Sequence, residues 1–290
     1  MFSVPLIGPM VTGPLGVCEL PRMWQKGLLK TIGVLPSEYA FGDRGFDKYM
    51  MDGIGIDRDA FVAHLATLPT YLQTEAWVRE HATSLAAKDA PNTFILERVM
   101  SAEGSQGVRD RAGIGDASFA NGARLTSLDD LVALHAYVVA HRGKTLPPFA
   151  PAVSSLLAGP LGLLHLPRLW AKAMIKTIGA LPEGYHSGSG PIDEQLAETI
   201  GMDLAASVAF TESTLPSYIA YETWVRENAT NLTATAMDPW NQRIPVREKP
   251  EHIAAPEREL LGIDDPAQRG SRLLNDLIDW HYVHEEIAAA

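Results

Sequence analysis

In the segments SLDDLVALHAYVVAHR (127–142) and RLLNDLIDWHYVHEEI (272–287), apolar residues recur every three to four positions, the spacing of one helix face. LPTYLQTEAWVREHATSL (68–85) and LPSYIAYETWVRENATNL (215–232) contain no internal breaker, and each predicts a further helix. Earlier in each of these stretches, Pro21 and Pro167 stand where a first helical turn tolerates proline, and Gly33 and Gly179 follow where a helix ends. Between them the pattern predicts a helix of about three turns. The stretches 37–56 and 183–202 are richer in glycine and read as a loop followed by a short helix. Asp57 and Asp203 have the form of helix N-caps. No set of alternating strands is present, so the expected fold class is all-α.

The pattern is written twice. GPLGVCELPRMWQKGLLKTIGVLP (13–36) returns as GPLGLLHLPRLWAKAMIKTIGALP (159–182), 146 positions on, with 15 of 24 residues identical. LPTYLQTEAWVREHATSLAA (68–87) returns as LPSYIAYETWVRENATNLTA (215–234), with 12 of 20 identical. A period of this length is far beyond that of solenoid repeats, which are about 20–50 residues long. The expectation is two tandem helical units, 1–145 and 150–290, joined by the proline-rich TLPPFAPAV and packed as a pseudo-two-fold pair, a covalent version of a dimer. Further self-association into a homo-oligomer is compatible with this reading.

Composition narrows the function. A net charge of −11 and a pI near 5.3 argue against a general binder of nucleic acid or anionic membrane. The single cysteine, Cys18, excludes an intrachain disulfide and cysteine-cluster metal sites. Its counterpart is Leu164, so Cys18 reads as a buried apolar position. The apolar start MFSVPLIGPMVTGPLGVC is read as part of the domain rather than as a leader, because its GPLG recurs at 159–162. No apolar run reaches the ~20 residues of a membrane-spanning helix. A cytoplasmic location is expected, with no membrane partner.

The polar residues common to both copies are most informative in the first helix. Arg22, Lys26 and Lys30 return as Arg168, Lys172 and Lys176, each set along one face at steps of about 6 Å. Stacked like charges repel, so acidic partners or a bound anion must meet them. Asp47, Glu75, Glu80 and Asp130 return as Asp193, Glu222, Glu227 and Asp276, which makes internal ion pairs one reading. The other is an anion site using Arg as a planar fork and Lys as a point charge. Tyr39 and Tyr185 follow in the loop, where functional groups are often placed. Trp24, Trp77, Trp170 and Trp224 are expected in the core. His135 and His281 coincide on the closing helix.

The copies also differ. His165 stands opposite Glu19, and His186 opposite Ala40. The second copy therefore gathers His165, Arg168, Lys172, Tyr185 and His186 around one helix and its loop, a set holding cationic clamps and acid–base groups. His281, His284 and Glu285 share a helix face, but no second ligand pair is near, and no metal site is expected. No P-loop, dinucleotide-binding or nucleophile-elbow motif occurs.

LPRxWxKxxxKTIGxLPxxY, followed by Gly184-Tyr185-His186, an IleGlyxAsp cap and a TrpValArgGlu helix, resembles an uncharacterised bacterial domain family of unknown function. Members of that family are single small domains with a LeuProArg…Lys segment and a Gly-Tyr-His or Gly-Tyr-Phe loop. The resemblance covers most of each half and fits the second better, because Ala40 departs from it in the first. It implies a compact helical domain and supplies no reaction.

The residues point to a cofactor-independent enzyme of lyase, isomerase or decarboxylase type acting on a small anionic metabolite. Arg168, with Lys176, His165, Arg22, Lys26 and Tyr39, would bind the substrate, and Tyr185, His186 and Lys172 would carry the chemistry. No metal or cofactor is expected. The alternatives are a non-catalytic binder of an anionic metabolite and a helical scaffold that uses the stripe internally.

Overall fold

The structure, a computed structural model, describes residues 2–290. The fold is all-α: the described residues form fourteen α-helices and two single 3-10 turns. The first seven helices are α1 (Leu20–Thr31), α2 (Gly45–Ile54), α3 (Arg58–Leu65), α4 (Tyr71–His81), α5 (Asp89–Glu97), α6 (Ala102–Ala112) and α7 (Gly122–Ala140). The next seven follow in the same order: α8 (Leu166–Thr177), α9 (Pro191–Ile200), α10 (Leu204–Thr214), α11 (Tyr218–Asn228), α12 (Ala234–Arg243), α13 (Glu251–Leu261) and α14 (Ser271–Ala288). None is long and apolar enough to cross a membrane.

Local signals set the helix ends. Asp57 accepts from the Ala60 amide at 2.8 Å and Asp203 from the Ala206 amide at 3.0 Å, which caps α3 and α10. Gly33 and Gly179 take positive φ just beyond α1 and α8, where an L side chain would be strained. α1 and α8 are buried almost all round, and Trp24 and Trp170 are fully enclosed. Their indole N–H groups donate to the Pro69 and Pro216 carbonyls at 2.9 and 3.1 Å. Trp77 and Trp224 are only half-buried, stacked against His64 and His81 and against Phe210 respectively.

The buried apolar residues form a continuous cluster running from Phe2 to Ile287. The closing helices tie it together. α7 packs on α8 and α11, and α14 packs on α1 and α4. His135 Nε2 lies 3.0 Å from the Leu215 carbonyl, and His284 Nε2 lies 2.9 Å from the Leu68 carbonyl. A carbonyl only accepts, so each imidazole carries its proton on Nε2. Both leucines sit at positive φ, 48° and 54°, ahead of a proline.

These contacts correct the pairing expected from the sequence. The counterpart of His135 is His284, not His281, which instead faces Glu285 at 3.4 Å. Likewise Asp130 corresponds to Asp279, not Asp276, because those two carboxylates receive Arg22 and Arg168. The spacing between matching residues is 146 at Arg22 and Arg168 and 147 at Tyr71 and Tyr218. By α14 the offset has grown by three, since α7 starts at Gly122 and α14 at Ser271.

The repeated GPLG has a steric cause. A Cβ on Gly13 would lie 2.3 Å from Glu75 Oε1 and 2.4 Å from the Tyr71 ring, and one on Gly159 would lie 2.3 and 2.4 Å from the same atoms of Glu222 and Tyr218. Those carboxylates accept from the Leu15 and Leu161 amides and from the Tyr71 and Tyr218 hydroxyls, so neither can move aside freely. Gly159→Ala is expected to cost about 1–3 kcal/mol by overpacking. Urea unfolding measures it, and an unchanged midpoint would show that the loop is slack.

Candidate functional site

Each stripe begins beside a residue in a strained conformation. Glu19 and His165 precede α1 and α8 at φ 66° and 74°, a left-handed conformation unusual for a side chain with a Cβ. The strain turns both side chains inward, where they are buried.

In the first half the stripe is used internally. Arg22 forms a fork on Asp130 at 2.6 and 3.2 Å and also donates to the Ile7 and Pro5 carbonyls. Tyr39 donates to the same carboxylate at 3.0 Å, and burial together with that negative charge raises its pKa. Lys26 lies between Glu19, at 3.2 Å, and Asp47, which also takes the Gly42 amide. Burial pushes the Glu19 carboxyl up to about 8. Lys26 opposes the shift and Asp47 reinforces it. Glu19 Oε2 is buried with no hydrogen-bond partner among the described residues, which suits the neutral acid. Lys30 is exposed and lies 4.9 Å from the Phe41 ring centre.

The second half keeps the same frame. Arg168 forks onto Asp279 at 2.5 and 3.1 Å, and Tyr185 donates to that carboxylate at 2.7 Å. Burial and the Asp279 charge hold the Tyr185 hydroxyl protonated far above its ordinary range, so it serves as a hydrogen-bond donor. Lys172 donates to both oxygens of Asp193, at 2.8 and 2.7 Å. Asp193 also accepts from the Gly188 amide at 3.1 Å and from His165 Nε2 at 2.8 Å. The other ring nitrogen of His165 takes the Ser155 hydroxyl at 2.9 Å. Burial pushes His165 down to about 4, so the imidazole is neutral near neutral pH. Burial raises the Asp193 pKa, but the His165 hydrogen bond and the Lys172 charge outweigh it and keep the carboxylate ionised. Burial also lowers the Lys172 pKa, against the pull of Asp193.

A cavity of about 420 Å³ opens beside this network. It brings together His165, Arg168, Lys172, Tyr185 and His186, the last exposed at the mouth. Lys176 lies apart, paired with Glu212 at 3.0 Å on the surface. The cavity also draws on residues that the sequence comparison passed over: Arg247, Lys249, Glu257, Asn275 and Tyr282. With the offset of the closing helices, their first-half counterparts are Arg98, Met100, Val108, Thr126 and Ala133. Aligning the two copies separately after residue 87 would have exposed four new polar or aromatic residues facing one place.

The equivalent positions carry other side chains in the first half. A Cβ on Gly122 would lie 3.3 Å from Phe46 and 3.4 Å from Met100, whereas the second half has Ser271, Ile192 and Lys249 at these positions. Arg22, Lys26 and Tyr39 are therefore brought together around the first-half network, apart from the second-half cavity.

Four cations and four carboxylates line the cavity, and three of the cations are paired: Arg168 with Asp279, Lys172 with Asp193, and Lys249 with Glu257 at 2.5 Å. Among the described residues Arg247 has no carboxylate within ion-pair distance, and its guanidinium reaches only the Ser271 hydroxyl at 3.1 Å. Three helices, α9, α13 and α14, start at the cavity wall with no side-chain cap. The counterparts of the last two, α6 and α7, are capped by Ser101 and Asn121. First-turn amides and the positive end of the helix dipole attract anions.

No protein-family model matches the chain, and no curated protein or solved structure matches it either.

Glu19 sets a pH dependence. Because its folded pKa is raised from 4.5 to about 8, the folded state holds a proton that the unfolded chain releases, and stability falls as pH rises through that interval. Asp276, raised to about 6, and Glu286, raised to about 7, add slope in the same direction at lower pH. Glu19→Gln is expected to flatten the decline that remains above about pH 7 in urea unfolding. An unaltered slope would mean that Glu19 is ionised in the folded protein.

Proposed function

We propose that the second half binds a small organic anion in this cavity, with Arg247 as its principal contact, while the first half serves as structural support. The observation that carries the reading is the convergence of an unpaired guanidinium and three uncapped helix starts on one open cavity. Tyr185, His186 and Asn275 add hydrogen-bonding groups, and Ile192, Ile253 and Ile278 add an apolar wall. A ligand with one anionic head and a short carbon body suits that lining.

The same proposal covers the arrangement of the chain. The reciprocal bonds from His135 to Leu215 and from His284 to Leu68 support a pseudo-two-fold pairing of two related helical units. The acidic composition and the lone buried cysteine support a cytoplasmic, non-nucleic-acid role.

Lys172 favours a catalytic form of the reading, a lyase, isomerase or decarboxylase without metal or redox cofactor. A buried amine with a lowered pKa at a cavity wall is suited to proton transfer or nucleophilic attack.

Thermal unfolding against a panel of small carboxylates and phosphates tests the site. At about 100 times its Kd, a ligand stabilises the native state by about 2.7 kcal/mol. Arg247→Gln is expected to remove that stabilisation while leaving the unliganded unfolding temperature nearly unchanged, because Arg247 holds no ion pair. If no panel member stabilises the wild type, or the Arg247 variant responds equally, the assignment is wrong.

A further inference from the structure

We propose that Lys172 condenses with a 2-oxo acid to form an imine, the acid's carboxylate being held by Arg247. This rests on the anion-site reading and adds the substrate class and the reacting atom.

Comparison of the halves singles out this amine. Lys26, its counterpart, is clamped between two carboxyl groups, Glu19 and Asp47. In the second half Glu19 is replaced by His165, which does not accept from the lysine but donates to Asp193. Lys172 is left with one carboxylate, whose charge is already divided with His165 and the Gly188 amide, and it lines the cavity. The other lysine there, Lys249, holds both oxygens of Glu257 at 2.5 and 2.6 Å, and no further donor to that carboxylate is present among the described residues. Of the two amines, Lys172 is the more readily freed of its proton. Burial lowers the pKa of both lysines, so the difference lies in their carboxylate partners.

The step balances without another reagent. Asp193 takes one proton from the Lys172 ammonium, and the nitrogen lone pair adds to the carbonyl carbon. The carbonyl π electrons move to oxygen, which takes a second proton from nitrogen to give a carbinolamine. Asp193 then returns its proton to the departing hydroxyl. The C–O bond breaks and water leaves, so that one ammonium and one ketone have become one iminium and one water. The iminium stands beside the Asp193 carboxylate, and the positive charge is conserved. His186 and Asn275 remain available to hydrogen-bond the substrate, since the Tyr185 hydroxyl already donates to Asp279. A 2-oxo acid is the simplest ligand that offers both an anion for Arg247 and an electrophilic carbon for the amine.

The test is to incubate the full chain with pyruvate or glyoxylate, add cyanoborohydride, and map the modified lysine by peptide mass spectrometry. Reduction converts an iminium to a stable secondary amine. A single adduct on Lys172, absent in Lys172→Arg, retained in Lys249→Gln and needing more acid in Arg247→Gln, is the expected result. Circular dichroism of each variant shows that it folds, and the wild-type map alone locates the adduct. Modification of Lys249 or of surface lysines only, or no adduct, would overturn imine formation. If the acid still raises the unfolding temperature through Arg247, the binding site stands and only the chemistry fails. If it neither stabilises nor modifies the protein, both readings fail.

Discussion

The buried arginine fork is the contact on which the two helical halves depend. Arg22 on Asp130 and Arg168 on Asp279 each join an opening helix to a closing helix across more than a hundred residues of chain. A buried guanidinium is tolerable only if its donors are met, and the Ile7 and Val153 carbonyls take part of that demand. Removing either carboxylate would leave an uncompensated charge in the core, which typically costs about 3–5 kcal/mol. The fork also orients what surrounds it. Tyr39 and Tyr185 are fixed on the same carboxylates, and the helix faces beyond them carry the lysines.

With that frame fixed, the two halves use the remaining positions differently. The first places Phe46 and Met100 against Gly122 and keeps a carboxyl, Glu19, neutral beside Lys26. The second exchanges these for smaller or polar groups and places His165 where Glu19 stood. The exchange also removes two helix caps: Pro250 and Gly270 replace Ser101 and Asn121. Omitting a cap commonly costs about 1 kcal/mol, so uncapped starts at a cavity weaken the fold where they leave amides for a ligand.

Much of this was legible in the sequence. Proline starts, glycine ends and aspartate caps marked helix boundaries, because backbone chemistry at a terminus is local. The fully buried tryptophans and the stripe's partners Asp47 and Asp193 were also readable, since they lie where the copies align without gaps. Asp279, His284, Arg247 and Lys249 were hidden for one reason. Between the first helix and the closing one the offset slips by three, one before the long helix and two after it, and a shift of three on a helix returns nearly to the same face and so disguises the error. Asp276 and His281 looked plausible because they sit one turn from the residues that make the contacts. The cavity was beyond the sequence, because its lining comes from separate segments that only the fold brings together.

The balance of charge around the cavity bears on how a ligand arrives. Four cations and four carboxylates cancel at a distance, and the whole chain carries −11. An approaching anion therefore meets a repelling far field, and attraction begins only within about a Debye length, ~8 Å at physiological salt. Recognition is short-ranged: the guanidinium and the helix amides act after entry. Such a site trades speed of capture for discrimination, since an anion that cannot fit deeply enough to reach them gains nothing from its charge.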